Sequence, residues 1–238
     1  MSNFNNHWTN KQVLEFEQFI QNYNIELKKN DLFLFQQAFI HPSYAYENQL
    51  DYNYQKLEFY GDALIEKEIS SYLFNKNNLT EGQMTLDRIK MVNHNSLTKL
   101  AKALHFEKFI LVGSSYQLNH ISDKNYEDIF EAFCAALYLT NGEIKLKHFL
   151  SNTIIKYYEN KMLEDNHDYK TKFQEMMQRF GKHEIKYITT ETNEQGKHVF
   201  NTELKCDNIV YGNGVGNKKH DAENNAAKNA LEKCASLN

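Results

Sequence analysis

Apolar residues recur at helical spacing from Val13 to about residue 163, and nothing in that interval alternates convincingly with period two. A chain patterned this way hides one stripe per helix and is confined to helix-on-helix packing, so residues 1–163 are expected to form an all-α domain. "TNKQVLEFEQFI" opens it with a Thr9-x-x-Gln12 capping box ahead of Val13, Phe16 and Ile20. Further helices are expected at about 31–39, 54–74, 81–92, 96–104, 123–140 and 142–163, with Asn95 or Ser96 and Ser122 as N-caps for two of them. The pattern changes after the polar break "EDNHDYK" at 164–170. A helix at about 170–180 precedes strand-like "HEIKYITTE", "KHVFNTELKC" and "NIVYGN", then an Ala-rich helix at about 219–235. Phe200, Leu204 and Cys206 share one face of the second strand. This α-β-β-β-α order predicts a small α+β domain over residues 168–238.

Composition bounds the function classes. A chain of 238 residues, 41% hydrophobic and 13% aromatic, holds enough apolar surface for one full core and a smaller second one. "MSNFNNHWTN" lacks the basic and apolar regions of a secretion signal, and the run "AFCAALYL" is too short to span a bilayer, so a soluble, cytoplasmic protein with no membrane partner is expected. Cys134, Cys206 and Cys234 have no C-x-x-C spacing, which predicts reduced buried thiols with no disulfide and no zinc. The net charge of −4 divides unevenly: 11 Lys+Arg face 10 Asp+Glu from Asp168 onward, leaving 16 against 21 before it. Overall charge therefore decides nothing about nucleic-acid partners, and local clusters must.

Two helical stretches carry paired carboxylates among apolar residues. "QKLEFYGDALIEK" stacks Glu58 and Asp62 one turn apart, and "NYEDIFEAFCAALYL" places Asp128 and Glu131 at i,i+3. If the four met, each pair at ~5 Å would repel by roughly 3 kcal/mol at an effective dielectric of about 20. A bound cation makes such a cluster tolerable, and all-oxygen ligation points to Mg²⁺ or Mn²⁺. A solvated helix edge shows the same spacing, so periodicity alone leaves open whether they meet. Glu66 continues the spacing and reads as solvated. A carboxylate-bridged di-iron bundle needs Glu-x-x-His pairs, and neither Glu58 nor Glu131 has a histidine three residues on. The ten histidines form no H-E-x-x-H spacing, and His41, before Pro42, reads as packed and hydrogen-bonded.

"KLEFYGDALI" resembles the signature of the ribonuclease III family, close to R-L-E-F-L-G-D, and "EDIFEAFCAALYL" resembles that family's D-x-x-E-A motif. Between them "EGQMTLDRIKMVNHNSL" is similar to the E-G-x-M segment with its later Arg, here Arg88, and upstream "AFIHPSYAYEN" looks like A-x-x-H-x-S-Y. The resemblance implies a homodimeric, Mg²⁺-dependent endoribonuclease (Mn²⁺ as substitute) that cuts both strands of double-stranded RNA, leaves 5′-phosphates, and processes transcripts such as ribosomal RNA. It implies Glu58, Asp62, Asp128 and Glu131 as metal ligands, with Asp62 and Glu131 most directly catalytic. Glu81 matches an acidic position near the family's cleft, where RNA contact and complementing the helix dipole are both open readings. Phe59 matches a residue inserted into the partner subunit, although a core phenylalanine looks the same in sequence. Gln55 stands where the family usually has Glu, and Lys56 where it has Arg; an ion pair at Gln55 would become a neutral hydrogen bond. Asn93 and Thr140 replace an often basic and an often acidic residue. Gln55 motivates the alternative of a silent RNA-binding protein that sequesters duplexes, and the intact carboxylate quartet opposes it.

"YKTKFQEMMQRF", "EQGKHVF" and "GNGVGNKKHDAENNAAKNAL" resemble the three RNA-contacting regions of the double-stranded RNA-binding domain. Such a domain reads A-form shape through two minor grooves and the phosphates between them. The resemblance implies Thr171, Gln174 and Glu175 at the first minor groove, His198 at the second, and Lys218, Lys219 and His220 at the phosphates. Cations beginning the last helix add to the positive end of its dipole. His220 stands where Lys is usual, so that contact is expected to weaken as pH rises through the histidine range.

Overall fold

A computed structural model describes residues 7–28, 31–114, 116, 121–163, 169–179, 181, 183–194 and 197–236. The expected polar break at 164–168 and residues 195–196 of the second RNA-contacting region lie outside the described residues. The chain falls into two compact units, residues 1–72 with 90–164, and residues 73–89 with 165–238.

The first unit is helical. α1 (Asn10–Gln21) starts at the Thr9 capping box, where the Thr9 side chain accepts from the Gln12 N–H and Gln12 reaches back to the Thr9 N–H. α2 (Leu32–Ala38) leads to α3 (Pro42–Glu47), a helix that apolar spacing does not announce. Its cap is unusual: His41 Nδ1 accepts from the Ser43 N–H at 3.1 Å, and Pro42 takes the first helical position, where a missing N–H costs nothing. α4 (Gln55–Phe74) follows, then α5 (Glu81–Val92), most of which counts with the second unit, then α6 (His94–Ala103). The cap of α6 is Asn93, whose side chain accepts from the Ser96 N–H at 3.0 Å, rather than Asn95 or Ser96. The helix starts two residues earlier than its apolar spacing suggests because the asparagine oxygen there accepts from that N–H.

α7 (Asp123–Leu150) begins at the Ser122 capping box and kinks at Gly142, φ 80° and ψ 178°, where two helices join. The expected 142–163 helix ends sooner: a π turn (Ser151–Ile155) and short α8 (Lys156–Glu159) replace its second half. Ile129 to Leu137 are all buried, so α7 runs through the centre of the unit rather than along its surface. Phe133 packs its ring 5.6 Å from Phe35, 5.2 Å from Phe106 and 5.0 Å from Phe149, every one of them fully buried. Truncating such a ring to alanine costs about 3–5 kcal/mol.

In the second unit α9 (Tyr169–Arg179) and α10 (Lys219–Ser236) accompany a three-stranded antiparallel sheet of β1 (Ile185–Glu194), β2 (Lys197–Cys206) and β3 (Ile209–Gly216), in the order β1-β2-β3. Thr202, Leu204 and Cys206 point inward from β2, and Tyr169, Phe173, Met177, Ala226, Ala227 and Ala230 complete the core. Ala222, Ala226 and Ala230 line one face of α10. A Cβ at Gly214 would stand 2.2 Å from the Ala226 nitrogen and 2.3 Å from the Ala222 oxygen, so the small residues of the G-x-G stretch and of α10 exist to let helix and strand touch backbone to backbone.

Candidate metal centre and nucleic-acid interface

Backbone hydrogen bonds fix the start of α4: Tyr54 N donates to the Ile40 oxygen at 3.0 Å, and the Tyr54 oxygen accepts from Leu57 N and Glu58 N, both at 2.9 Å. This places Glu58 in the first turn. Gly61 sets how near α4 comes to α7, since a Cβ there would lie 1.9 Å from the Glu131 backbone oxygen. The glycine before Asp62 is therefore steric in purpose: nothing larger lets the two carboxylate-bearing helices close. On the same pair of helices Lys67 bridges to Glu143 at 2.9 Å and Lys147 reaches Glu143 at 2.8 Å.

Glu58, Asp128 and Glu131 each present a ligand-type oxygen within 4.8 Å of the others. Asp62 is not in that trio, but it is near enough that its charge raises the carboxyls of Glu131 and Glu58. Asp128 and Glu131 are each only 6% exposed, deep burial for carboxylates. Burial, reinforced by the charges of Glu127, Asp62 and Glu58, pushes the Glu131 carboxyl up to about 9, with Lys124 opposing. Burial and then Asp128 also raise Glu58. The cluster as it stands favours an added positive charge, and a proton is the smallest available.

Neighbours unforeseen from sequence hold Asp128. Tyr54, 3% exposed, donates its hydroxyl to Asp128 Oδ2 at 3.3 Å and accepts from Asn125 Nδ2 at 3.1 Å. Tyr116 donates to Asn125 Oδ1 at 3.3 Å, and His41 stacks on Tyr116 with ring centres 4.6 Å apart. Burial lowers the His41 pKa against the opposing pull of Asp128, and its Nδ1 already accepts from Ser43, so it serves as packing rather than as a base. Lys124 Nζ lies 2.7 Å from Asp128 Oδ1 and 3.0 Å from Glu127 Oε2. Although burial opposes its charge, those carboxylates drive the Lys124 ammonium above its ordinary value. The buried Asp128 Oδ1 is thus paired with the Lys124 ammonium. Glu127 also meets His94 Nδ1 at 2.8 Å. An all-oxygen set of converging, largely buried carboxylates suits a hard divalent cation of the Mg²⁺ or Mn²⁺ kind.

Phe59 is 82% exposed, which removes the core reading, and Leu139 and Ile144 are exposed apolar residues of the same unit. Gln55 and Lys56 are exposed at the start of α4. Glu81 is exposed in the first turn of α5, where it accepts from Thr85 Oγ1 at 3.1 Å, in keeping with complementing the helix dipole.

In the second unit Thr171, Gln174, Glu175, His198, Lys218, Lys219 and His220 are all exposed. Thr171, Gln174 and His220 line one depression together with Lys170, Ile185 and Tyr187, which brings the ends of α9 and α10 to a common surface. Glu175 pairs with Lys172 at 3.3 Å, Lys219 approaches Glu223 at 3.9 Å, and His198 Nδ1 is bonded to Glu191 on the paired strand. Acidic neighbours thus temper several of the cationic contacts.

Residues 31–158 match the family model described as Ribonuclease-III-like, and residues 169–234 match the Double-stranded RNA binding motif. A protein named Ribonuclease 3 from Mycoplasmoides gallisepticum is 42% identical over 208 residues, 87% of this chain but 32% of that protein, so the chain spans about a third of that relative's length. Ribonuclease 3 from Ureaplasma parvum is 38% identical over 234 residues, covering 94% of this chain and 96% of that one. Among solved structures, the nuclease domain of ribonuclease III from Campylobacter jejuni superposes with a TM-score of 0.53 at 29% identity, covering 59% of this chain and 96% of the other.

Proposed function

The chain belongs to the ribonuclease III family, and from that premise we propose that it is an endoribonuclease hydrolysing both strands of double-stranded RNA, with a nuclease domain over residues 1–163 and an RNA-binding domain over 168–238. The observation that carries this reading is the convergence of Glu58, Asp128 and Glu131 beside Asp62 across the close approach at Gly61. These four carboxylates would hold Mg²⁺, or Mn²⁺ in its place. When bound, the ion supplies an activated water and charge neutralisation at the scissile phosphate. Glu131 and Asp62 stand nearest the chemistry in this reading, and Tyr54 with Asn125 keeps Asp128 turned toward the cluster. Lys124 restrains the charge of the acidic group without adding a ligand. The products would be 5′-phosphate and 3′-hydroxyl ends.

The exposed residues of the second unit would grip the duplex, Thr171, Gln174, Glu175 and His198 in the minor grooves and Lys218, Lys219 and His220 on phosphates. Exposed Phe59 supports a homodimer in which each subunit cuts one strand. Structured transcripts such as precursor ribosomal RNA in the cytoplasm are the substrates we infer; among the described residues no helix is long and apolar enough to cross a membrane.

Labelled duplex RNA incubated with the full chain and Mg²⁺ tests the reading. Short 5′-phosphorylated products are expected, absent with EDTA and absent for Asp62→Asn. Tight binding with no metal-dependent product would instead favour a duplex-sequestering protein, the role that Gln55 in place of a carboxylate would suit.

A further inference from the structure

Asn125 does two jobs with one amide. As the third residue of α7 it completes the capping box, its Oδ1 accepting from the Ser122 N–H at 3.2 Å and from Ser122 Oγ at 2.9 Å. Tyr116 donates to the same oxygen at 3.3 Å. A backbone N–H can only donate, so the atom facing it must be the amide oxygen, and the amide nitrogen is thereby turned toward Tyr54, 3.1 Å away. That nitrogen can only donate as well. The Tyr54 oxygen therefore accepts from Asn125 and directs its single hydrogen to Asp128 Oδ2 at 3.3 Å. Every hydrogen in the series Ser122, Asn125, Tyr54, Asp128 points toward the carboxylate.

Tyr116 is itself held in place. Leu111 N donates to the Phe39 oxygen and His41 N to the Leu111 oxygen, both at 2.9 Å, and Gly113 N donates to Ser43 Oγ at 3.0 Å. A Cβ at Gly113 would fall 2.6 Å from Glu47 Oε2 and 2.9 Å from the Ser43 backbone oxygen, so the segment lies flush against α3. The His41 ring then stacks on Tyr116. These contacts bring the Tyr116 hydroxyl to Asn125 from outside both carboxylate-bearing helices. We propose that Asn125 and Tyr116 are positioning residues of the metal centre: with the Ser122 cap they fix which way the amide faces, so that Tyr54 always presents its hydrogen to Asp128 and sets the rotation of that carboxylate beside Glu58 and Glu131. This role rests on the reading of Glu58, Asp62, Asp128 and Glu131 as the site of a hard divalent ion. Capping of α7 and positioning of Asp128 share one side chain, yet one substitution separates them. In Asn125→Asp a carboxylate oxygen still takes the Ser122 N–H, but nothing is left to donate to Tyr54, whose hydrogen is drawn away from Asp128 to the new carboxylate.

Mn²⁺ binding to the full chain, followed by electron paramagnetic resonance, tests the role, with thermal unfolding in EDTA as the control of fold. Binding by wild type and its loss in folded Glu131→Gln establishes the site first; no difference between those two would overturn the metal reading and the positioning role with it. Asn125→Asp is expected to weaken Mn²⁺ binding by about tenfold, whereas an added carboxylate near the ion would strengthen it by charge alone. In a Tyr54→Phe background the same change is expected to cause no further weakening, because the hydroxyl through which it acts is gone. Tyr116→Phe keeps the ring on His41 and is expected to weaken binding by about threefold, the worth of one hydrogen bond; it decides the matter should Asn125→Asp not fold. With the site present, wild-type affinity in folded Asn125→Asp or in folded Tyr116→Phe, or a weakening that persists undiminished in the Tyr54→Phe background, would overturn the positioning role alone.

Discussion

The two units handle charge in opposite ways. On α4 and α7, Glu58, Asp128 and Glu131 are drawn together, and burial works against the ionisation of Glu131 and Glu58. On α9, β2 and the start of α10 with the turn before it, the residues proposed to meet RNA all lie exposed to solvent. The first arrangement is preorganised and its stress is relieved only by a cation. The second stores nothing and gains by releasing counterions, so it should be sensitive to salt where the first is sensitive to metal and pH.

Disabling the carboxylate cluster gives the largest expected effect. Asp62→Asn or Glu131→Gln is expected to lower the rate of duplex cleavage in Mg²⁺ by more than about 100-fold, beyond what loss of an outer partner costs. Filter binding in EDTA should stay within about twofold of wild type, because the RNA-facing residues are untouched. Equal losses in both assays would break the division of labour. Next comes Gly61→Ala, whose Cβ must displace the Glu131 backbone. It is expected to cost roughly 1–3 kcal/mol in denaturant unfolding and to weaken Mn²⁺ binding with it.

Tyr54→Phe is a gentler probe, since it removes one hydroxyl from Asp128 and keeps the ring. Cleavage in saturating metal should fall by about tenfold, with the metal concentration needed for half-maximal rate rising as well. In the RNA-facing region, Lys218→Ala with Lys219→Ala is expected to flatten the slope of log affinity against log salt by about one per lysine removed, leaving cleavage of bound duplex intact. The smallest signal is thermal. Because the Glu131 pKa is raised to about 9, this carboxyl in the folded metal-free protein keeps a proton that it gives up in the unfolded chain, from the ordinary carboxyl range up to that value. Its melting temperature in EDTA should therefore fall as pH rises across that window and level off above it, while Glu131→Gln flattens the trend.

Much of this was legible in the sequence where the signal is local. The Thr9 capping box, the Ser122 cap, the bounds of α5 and β2, and the Ala-rich α10 follow from spacing that neighbouring residues enforce. α3 is hidden in the sequence because histidine is a rare cap and its apolar face is short, and the expected caps Asn95 and Ser96 lie inside the helix that Asn93 caps. The carboxylate pairs were visible, but their meeting depends on Gly61, whose reason lies in a backbone seventy residues away in the sequence. Tyr54 and Asn125 could not be found at all by pattern: they are neutral, far apart in the chain, and matter only through each other and Asp128.

The central claim is that the α4 and α7 carboxylates form one site for a hard divalent ion, and Mn²⁺ binding followed by electron paramagnetic resonance tests it most directly. Titration of the full chain should show bound Mn²⁺ that Mg²⁺ displaces, with affinity dropping as pH falls because Glu131 and Glu58 regain their protons, and with that binding lost in a folded Glu131→Gln variant. Mn²⁺ bound equally by wild type and variant, or not bound at neutral pH, would contradict it.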